Sequence, residues 1–303
     1  MRDTFISELI SQAENNKDLM LLTGDLGFGV FEEFEKLFPK QFLNVGVAEQ
    51  NMAMVSAGLA LQGKKVFIYS IGNFPTLRCL EQIRNDICYH NLNVTVVSIG
   101  GGFSYGQLGM SHHATEDLSI MRSMPNMVVS SPSNIKEVRK ITNYFCKNKG
   151  PSYLRLDKSF VNFEKFNFSQ KKASVLREGS SITLIGTGGV VGELLKASDI
   201  LINQKIDCRL LSMHTIKPLD FSSIDKAVKE TKGIISVEEN NIIGGLGSAI
   251  SEYCLEANKI PKHFYKIGLK DEFSSIVGDQ NYLRNYYQIN SKNIIKKVQE
   301  IFN

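Results

Sequence analysis

What most constrains this chain is an alternation. Short apolar runs alternate with segments of helical period along almost its whole length. The runs at 19–23, 42–45, 65–70, 93–99, 127–130 and 152–156 read as strands. The stretches at 4–15, 31–38, 47–61, 76–89, 117–122 and 133–147 between them read as helices. Strands that alternate with helices imply a parallel sheet covered by helices, an α/β fold. The run Asn93-Val94-Thr95-Val96-Val97-Ser98-Ile99 is apolar and β-branched enough for burial on both faces. The alternation stops at 160–172, a stretch with neither helical nor strand period that reads as a crossover between domains. It then restarts with strands at 181–185, 207–212, 233–237 and 264–267 and helices at 190–203, 224–231, 247–257 and 290–302. The expectation is two three-layer α/β domains, 1–165 and 166–303, which suits a chain of 303 residues.

Several classes are disfavoured by composition. Net charge is +4 and the basic clusters, such as Lys147 to Lys149 and Lys171-Lys172, are short, which points to a solvated surface rather than a nucleic-acid groove. The 5 cysteines are scattered with no C-x-x-C pair, so free thiols in a reducing compartment are expected rather than a zinc site. The N-terminus carries charges too early for a signal peptide. No apolar run approaches the roughly 18 residues that a membrane span needs. A cytoplasmic protein is expected.

Ligands of open α/β sheets bind at the carboxyl ends of strands, and each glycine-bearing loop of the first half follows a strand. These loops lie at 24–29, 44–49, 71–75 and 100–113. In Asn44 to Gly58, Glu49 stands near the start of a helix that reads as apolar on most sides. Two readings of it are open. With Gly46 as N-cap, Glu49 falls three residues on and bonds back to the cap; alternatively it is a proton donor or acceptor in a dry pocket. His112 and His113 sit together in the glycine-rich loop. Neighbours in sequence point apart and no third ligand has suitable spacing, so a metal site is not indicated. A proton-transfer or hydroxyl-binding role for one of them stands beside a structural one. His90, His214 and His263 read as structural. Gly186-Thr187-Gly188-Gly189 is an imperfect dinucleotide fingerprint and reads as a strand-to-helix turn. Glu238 and Glu239, before the Gly244-Gly245-Leu246-Gly247 turn, read as surface charge.

Together these segments resemble the C-terminal half of transketolase. The resemblance rests on Val45-Gly46-Val47-Ala48-Glu49-Gln50-Asn51-Met52, on Tyr69-Ser70-Ile71-Gly72-Asn73-Phe74, on Gly109-Met110-Ser111-His112-His113 and on Met124-Pro125-Asn126-Met127. It covers essentially the whole chain: a pyrimidine-binding domain, then the family's C-terminal domain. It implies thiamine diphosphate as cofactor, with Glu49 hydrogen-bonded to N1′ of the aminopyrimidine. That bond favours the imino tautomer, whose N4′ takes the proton from thiazolium C2. Phe74 matches the aromatic that stacks on the pyrimidine, and Leu77 and Leu80 replace two further aromatics of the pocket wall. Leu26, after Asp25, matches a position that meets the pyrimidine, and Asn73 adjoins the stacking ring. His112 matches a histidine that contacts substrate hydroxyls, with His113 beside it. Lys158, in Arg155-Leu156-Asp157-Lys158, falls where the family has a phosphate-binding Arg.

The same resemblance implies a partner. Full transketolases grip the diphosphate through Mg²⁺ with a Gly-Asp-Gly motif and a distant Asn, and neither Gly24-Asp25-Leu26 nor Gly278-Asp279-Gln280 supplies it. The expectation is one subunit of a split transketolase, an α2β2 heterotetramer whose partner chain holds the diphosphate and the metal. Three departures touch the substrate. Leu108 replaces an Asp that reads the donor's hydroxyl, Gly100 replaces a phosphate-binding His, and the phosphate-contacting Ser is missing around Gly29. An unusual sugar, nucleotide-linked or otherwise not a simple pentose phosphate, is expected. The rival readings are the β chain of a 2-oxoacid dehydrogenase or a deoxyxylulose-phosphate-synthase-like subunit, both decarboxylating, and a non-catalytic scaffold that keeps the fold.

Overall fold

The computed structural model describes residues 1–163 and 168–302. Among the described residues twelve strands form two sheets: β1 (Leu19–Thr23), β2 (Phe42–Asn44), β3 (Lys65–Ile71), β4 (Val94–Ile99), β5 (Val128–Ser130), β6 (Ser152–Leu156), β7 (Ser174–Arg177), β8 (Ile182–Gly186), β9 (Cys208–Ser212), β10 (Thr215–Lys217), β11 (Ile234–Asn241) and β12 (Phe264–Leu269). The larger sheet has the order β10-β5-β6-β4-β3-β1-β2 and the smaller one β12-β11-β8-β9-β7. All pairings are parallel except β10 with β5 and β7 with β9.

Side chains alternate across each strand, and this sets the two layers of the first sheet. Val66 and Ile68 of β3 join the core under the helix Glu49–Leu61, with Met52 and Ala53. Phe67 and Tyr69 face the opposite way into a core with Phe5, Leu9, Val138 and Ile141 of the helices Arg2–Ala13 and Ile135–Lys147. All six residues of β4 are buried, as its β-branched sequence requires.

Several expectations change. Asn44 Oδ1 accepts from the Gly46 amide at 3.0 Å and Gly46 has φ +74, so residues 44–48 make a turn. The helix starts at Glu49 itself, after Ala48. Glu49 is therefore in the first helical position, not three residues past a cap, and the capping reading fails. The same helix is not buried on most sides: Met54 and Leu61 are exposed on it seven residues apart, and Val47 is exposed in the turn before it. Strand β7 and the helix Gln280–Tyr286 carry no periodicity strong enough to be expected.

The two units are also more entangled than their sequences imply. Residues 215–217, expected inside the second unit, extend the first sheet through β10. One continuous apolar core joins Leu22 and Met52 of the first unit to Ile185, Leu211 and Ile250 of the second. The expected boundary at 165/166 lies outside the described residues. No helix among the described residues is long and apolar enough to cross a membrane.

Candidate active site

The carboxyl end of β1, the turn at 44–48, the segment after β3 and the loop after β4 converge on Glu49. Its side chain is 2% exposed. Gly24 makes room for it, because a Cβ there would lie 3.3 Å from Glu49 Cγ. Buried carboxylates need partners, and Glu49 has two. Arg78 Nη1 donates to Oε2 at 2.7 Å, and the Ser70 hydroxyl donates to Oε1 at a long 3.5 Å.

Phe74 is half-buried beside this carboxyl. The Arg78 guanidinium lies over its ring, 4.6 Å from the centroid. The His112 ring meets Phe74 edge-on at 5.2 Å. Burial lowers the His112 pKa and the neighbouring His113 lowers it further, which favours a neutral imidazole at neutral pH. Asn73 is the tie between the two loops: its Nδ2 donates to the His113 carbonyl at 2.8 Å, while its Oδ1 is buried without a protein partner. Asp25 is exposed in the left-handed region (φ 58) and is held by Asn44, whose Oδ1 accepts the Asp25 amide at 2.9 Å. The Leu26 carbonyl accepts from the Thr23 hydroxyl at 2.9 Å. Leu77 is exposed on the adjoining turn. Glu49, Asn73, Phe74 and His112 thus come together, with Asp25, Leu26 and Leu77 at the rim.

Two expected residues fall elsewhere. The His113 imidazole is buried, packed edge-on against Phe103 at 5.2 Å, and its Nε2 bonds the Gly106 carbonyl at 3.0 Å. It supports the loop from beneath, so the expected substrate contact from His113 is not met. Lys158 is exposed and stands over the Tyr105 ring at 3.8 Å. It lines a separate cavity of about 460 Å³ with Tyr105, Leu108, Asp279 and Gln280. The loop after β4 therefore serves both places, bringing Leu108 to the cavity and His112 to Phe74.

That loop is fixed by a buried ionic network that sequence reasoning missed. Glu239 accepts from the Phe103 amide at 2.5 Å, from Gln280 Nε2 at 2.8 Å and from Arg284 Nε. Arg155, 2% exposed, pairs with Asp117 at 3.2 Å and Asp157 at 3.4 Å and donates to the Glu239 carbonyl at 2.8 Å. Burial pushes Asp157 up to about 6 despite Arg155. Asp157 also accepts the Gly189 amide at 2.6 Å, so the Gly188-Gly189 turn abuts the first unit. Gly101 and Gly102 lie so close to Arg155 and Glu239 that a Cβ on either would fall within 2.5 Å of those side chains. Glu238 accepts the Leu246 and Gly247 amides at 2.8 Å each, at the start of the helix Leu246–Glu256. Glu238 and Glu239 are therefore buried in β11, not surface charge. A run of Glu-Glu-Asn after an apolar strand carries no local sign of burial. The only signal was the set of small residues that face it.

The profile of the transketolase pyrimidine binding domain matches residues 1–163, and that of the transketolase C-terminal domain matches 171–294. The chain belongs to the transketolase family. It is 36% identical over 99% of its length, and over 95% of the relative, to a putative transketolase C-terminal section of Methanocaldococcus jannaschii. It is 34% identical to a subunit of the apulose-4-phosphate transketolase of Phocaeicola vulgatus, over 99% of the chain and 96% of the relative. A solved split-gene transketolase, described as an inactive β4 tetramer, superposes with a TM-score of 0.90 at 32% identity, covering 99% of this chain and 97% of that one. Membership implies dependence on thiamine diphosphate, and the cluster fits its pyrimidine. A flat aromatic face, Phe74, and a buried carboxylate acceptor, Glu49, flank one position, where the Arg78 guanidinium lies. Among the described residues no group of three His, Cys, Asp or Glu side chains could hold a metal ion.

Proposed function

We propose that the chain is the C-terminal subunit of a two-chain transketolase, transferring a two-carbon ketol unit between sugars, and that Glu49, Phe74 and His112 are its contribution to the active site. The observation that carries the assignment is a nearly water-free carboxylate, Glu49, beside an aromatic face that His112 also touches. Thiamine diphosphate, when bound, supplies the carbon nucleophile for the ketose carbonyl and holds the electron pair of the transferred fragment. Glu49 shares a proton with the pyrimidine N1′ from a fixed, dry position. Phe74 stacks on the pyrimidine, Asn73 holds the two loops together beside it, and Asp25, Leu26 and Leu77 close the rim. His112, neutral at working pH, contacts the hydroxyls next to the reacting carbon.

The diphosphate and Mg²⁺ would be held by an N-terminal partner subunit. The exposed apolar side chains of Met54 and Leu61 on the helix, and of Val47 in the turn before it, support a protein interface beside the site. An α2β2 heterotetramer in the cytoplasm is the proposed form. Lys158 and its cavity would receive the distal anion of the sugar. With Leu108 in place of a carboxylate, the substrate is proposed to be an unusual phosphosugar, such as the apulose 4-phosphate named for the P. vulgatus relative, rather than a common pentose phosphate.

The test is reconstitution with the N-terminal partner. Glu49→Ala should reduce ketol transfer by at least about 100-fold, the usual scale of one acid–base group. Ketol transfer that survives this change unaltered removes Glu49 from the mechanism. Turnover of xylulose 5-phosphate with ribose 5-phosphate at ordinary enzyme rates overturns the unusual-substrate reading. Release of CO₂ from pyruvate in place of ketol transfer favours the decarboxylating rivals.

A further inference from the structure

Arg78 has no place in the chemistry just described, yet it makes the closest contact to the central carboxylate. Its guanidinium lies over Phe74, 4.6 Å from the ring centroid, and its Nη1 donates to Glu49 Oε2 at 2.7 Å. These are the two places the aminopyrimidine must fill: a flat π face against Phe74 and a ring nitrogen, N1′, within proton-sharing distance of Glu49. A guanidinium and an aminopyrimidine share a planar N–C–N unit with in-plane donors, and guanidinium groups stack on aromatic faces. A heterocycle stacked on that face and bonded to that oxygen would overlap the guanidinium. We propose that Arg78 is a placeholder, occupying the pyrimidine position in the free chain and leaving it when the cofactor enters. The proposal rests on the assignment of Glu49 and Phe74 to the pyrimidine.

The physical need for a placeholder is clear from Glu49. It is 2% exposed, and its other contact, Ser70, is long. A buried carboxylate with no cationic partner is destabilising, so an empty site would be strained toward local opening. Arg78 removes that cost in the free chain. It is also free to leave, because its side chain is 46% exposed and it projects from the short turn Leu77–Cys79 at the mouth of the site. Swinging the head into water is inexpensive for a long, strongly basic side chain. The buried ion pair is broken only when the ligand's N1′ takes the guanidinium's place at Glu49, with one proton taken up to lie between the carboxyl and N1′. Binding of the pyrimidine therefore competes with Arg78, and apparent affinity is lower than the site alone would give.

The experiment is calorimetric titration of the full-length chain with thiamine diphosphate, and separately with thiamine, which probes the pyrimidine site without the diphosphate. Arg78→Met should tighten both by about two- to five-fold, the span expected when a competing partly exposed ion pair is lost. Arg78→Lys, which keeps the charge but not the plane, should tighten them less, and it serves should the Met variant not fold. In the wild-type chain the Arg78 side-chain nitrogen resonances should be resolved and protected, and should move to free-arginine positions on saturation with thiamine diphosphate. Glu49→Gln is the control and should weaken binding to the chain. Unchanged or weaker binding in the folded Arg78 variants, with weaker binding in Glu49→Gln, overturns the placeholder and leaves the site standing. Binding that Glu49→Gln does not alter overturns the pyrimidine assignment and the placeholder with it.

Discussion

Replacing Glu239 by Ala removes the one carboxylate that ties the His112 loop to the second unit. It takes away three hydrogen bonds at once, from the Phe103 amide, Gln280 and Arg284, and it leaves Arg284, 5% exposed, with the Ser159 hydroxyl as its remaining side-chain hydrogen bond among the described residues. Breaking a buried ion pair by deleting one partner costs about 3–5 kcal/mol. One further buried donor, the Phe103 amide, is left unpaired and adds about 1–3 kcal/mol, less whatever water enters the gap, while Gln280 Nε2 keeps the Ser104 hydroxyl at 3.3 Å. A net loss of about 4–6 kcal/mol is a large share of the stability of a chain this size. Urea denaturation followed by far-ultraviolet circular dichroism measures it, with the second unit monitored separately because two domains need not unfold together. Amide exchange adds a local readout: Phe103 should lose protection even where the variant stays folded. Glu239→Gln keeps an acceptor for Phe103 and should cost less, about 2–3 kcal/mol, since only the charge is lost. A Glu239→Ala loss below about 1 kcal/mol, with Phe103 still protected, would refute the view that this network sets the loop.

Three other consequences can be checked. Burial pushes Glu238 up to about 7, so the folded chain holds that proton more tightly than the unfolded chain; the stabilisation is complete below about pH 4.5 and is lost as pH rises to about 7, a fall of about 3 kcal/mol. Glu238→Gln should abolish that slope, and parallel stability–pH curves for the two proteins would refute it. Met54→Glu places a charge among these exposed apolar side chains and should leave free-chain stability within about 0.5 kcal/mol. It should weaken assembly with the partner or a second copy at least about tenfold by sedimentation, and unchanged assembly would place the interface elsewhere. Lys158→Ala should lower kcat/KM for an anionic ketose by about 10- to 100-fold, chiefly through KM, as expected for loss of one charge-assisted contact. An equal loss with an uncharged analogue would separate Lys158 from the anion.

Fold class was legible because it depends on local pattern. The β-branched runs of β3 and β4 and the helical segments between them specify a covered parallel sheet whatever their distant neighbours are. The loops at 44–49, 71–75 and 100–113 were legible as neighbours because strand ends converge by topology and these loops follow consecutive strands, whereas the parts given to Asn73, Phe74 and His112 within them rest on the resemblance. Residues whose meaning depends on a partner far along the chain were not legible. Glu238 and Glu239 look like surface charge until the amides of 246–247 and of Phe103 come to meet them. Arg78 looks like solvent-facing charge until the turn after β3 folds it over Phe74. The true start of the helix at Glu49 was hidden as well, because Asn44 closes a turn that an apolar sequence gives no reason to expect.

The sequence by itself therefore determined the layers, the direction of the sheet and which loops line the site. The tertiary structure alone decided which charged groups are buried and whom they face. The physical reason is range. Side-chain period and glycine placement act between neighbours in the chain, whereas the cost of a buried charge depends on whatever surrounds it in space. Residues 215–217 follow the same rule: whether they close their own unit or add a strand beside β5 is settled by the free edge that β5 offers, not by their own three side chains.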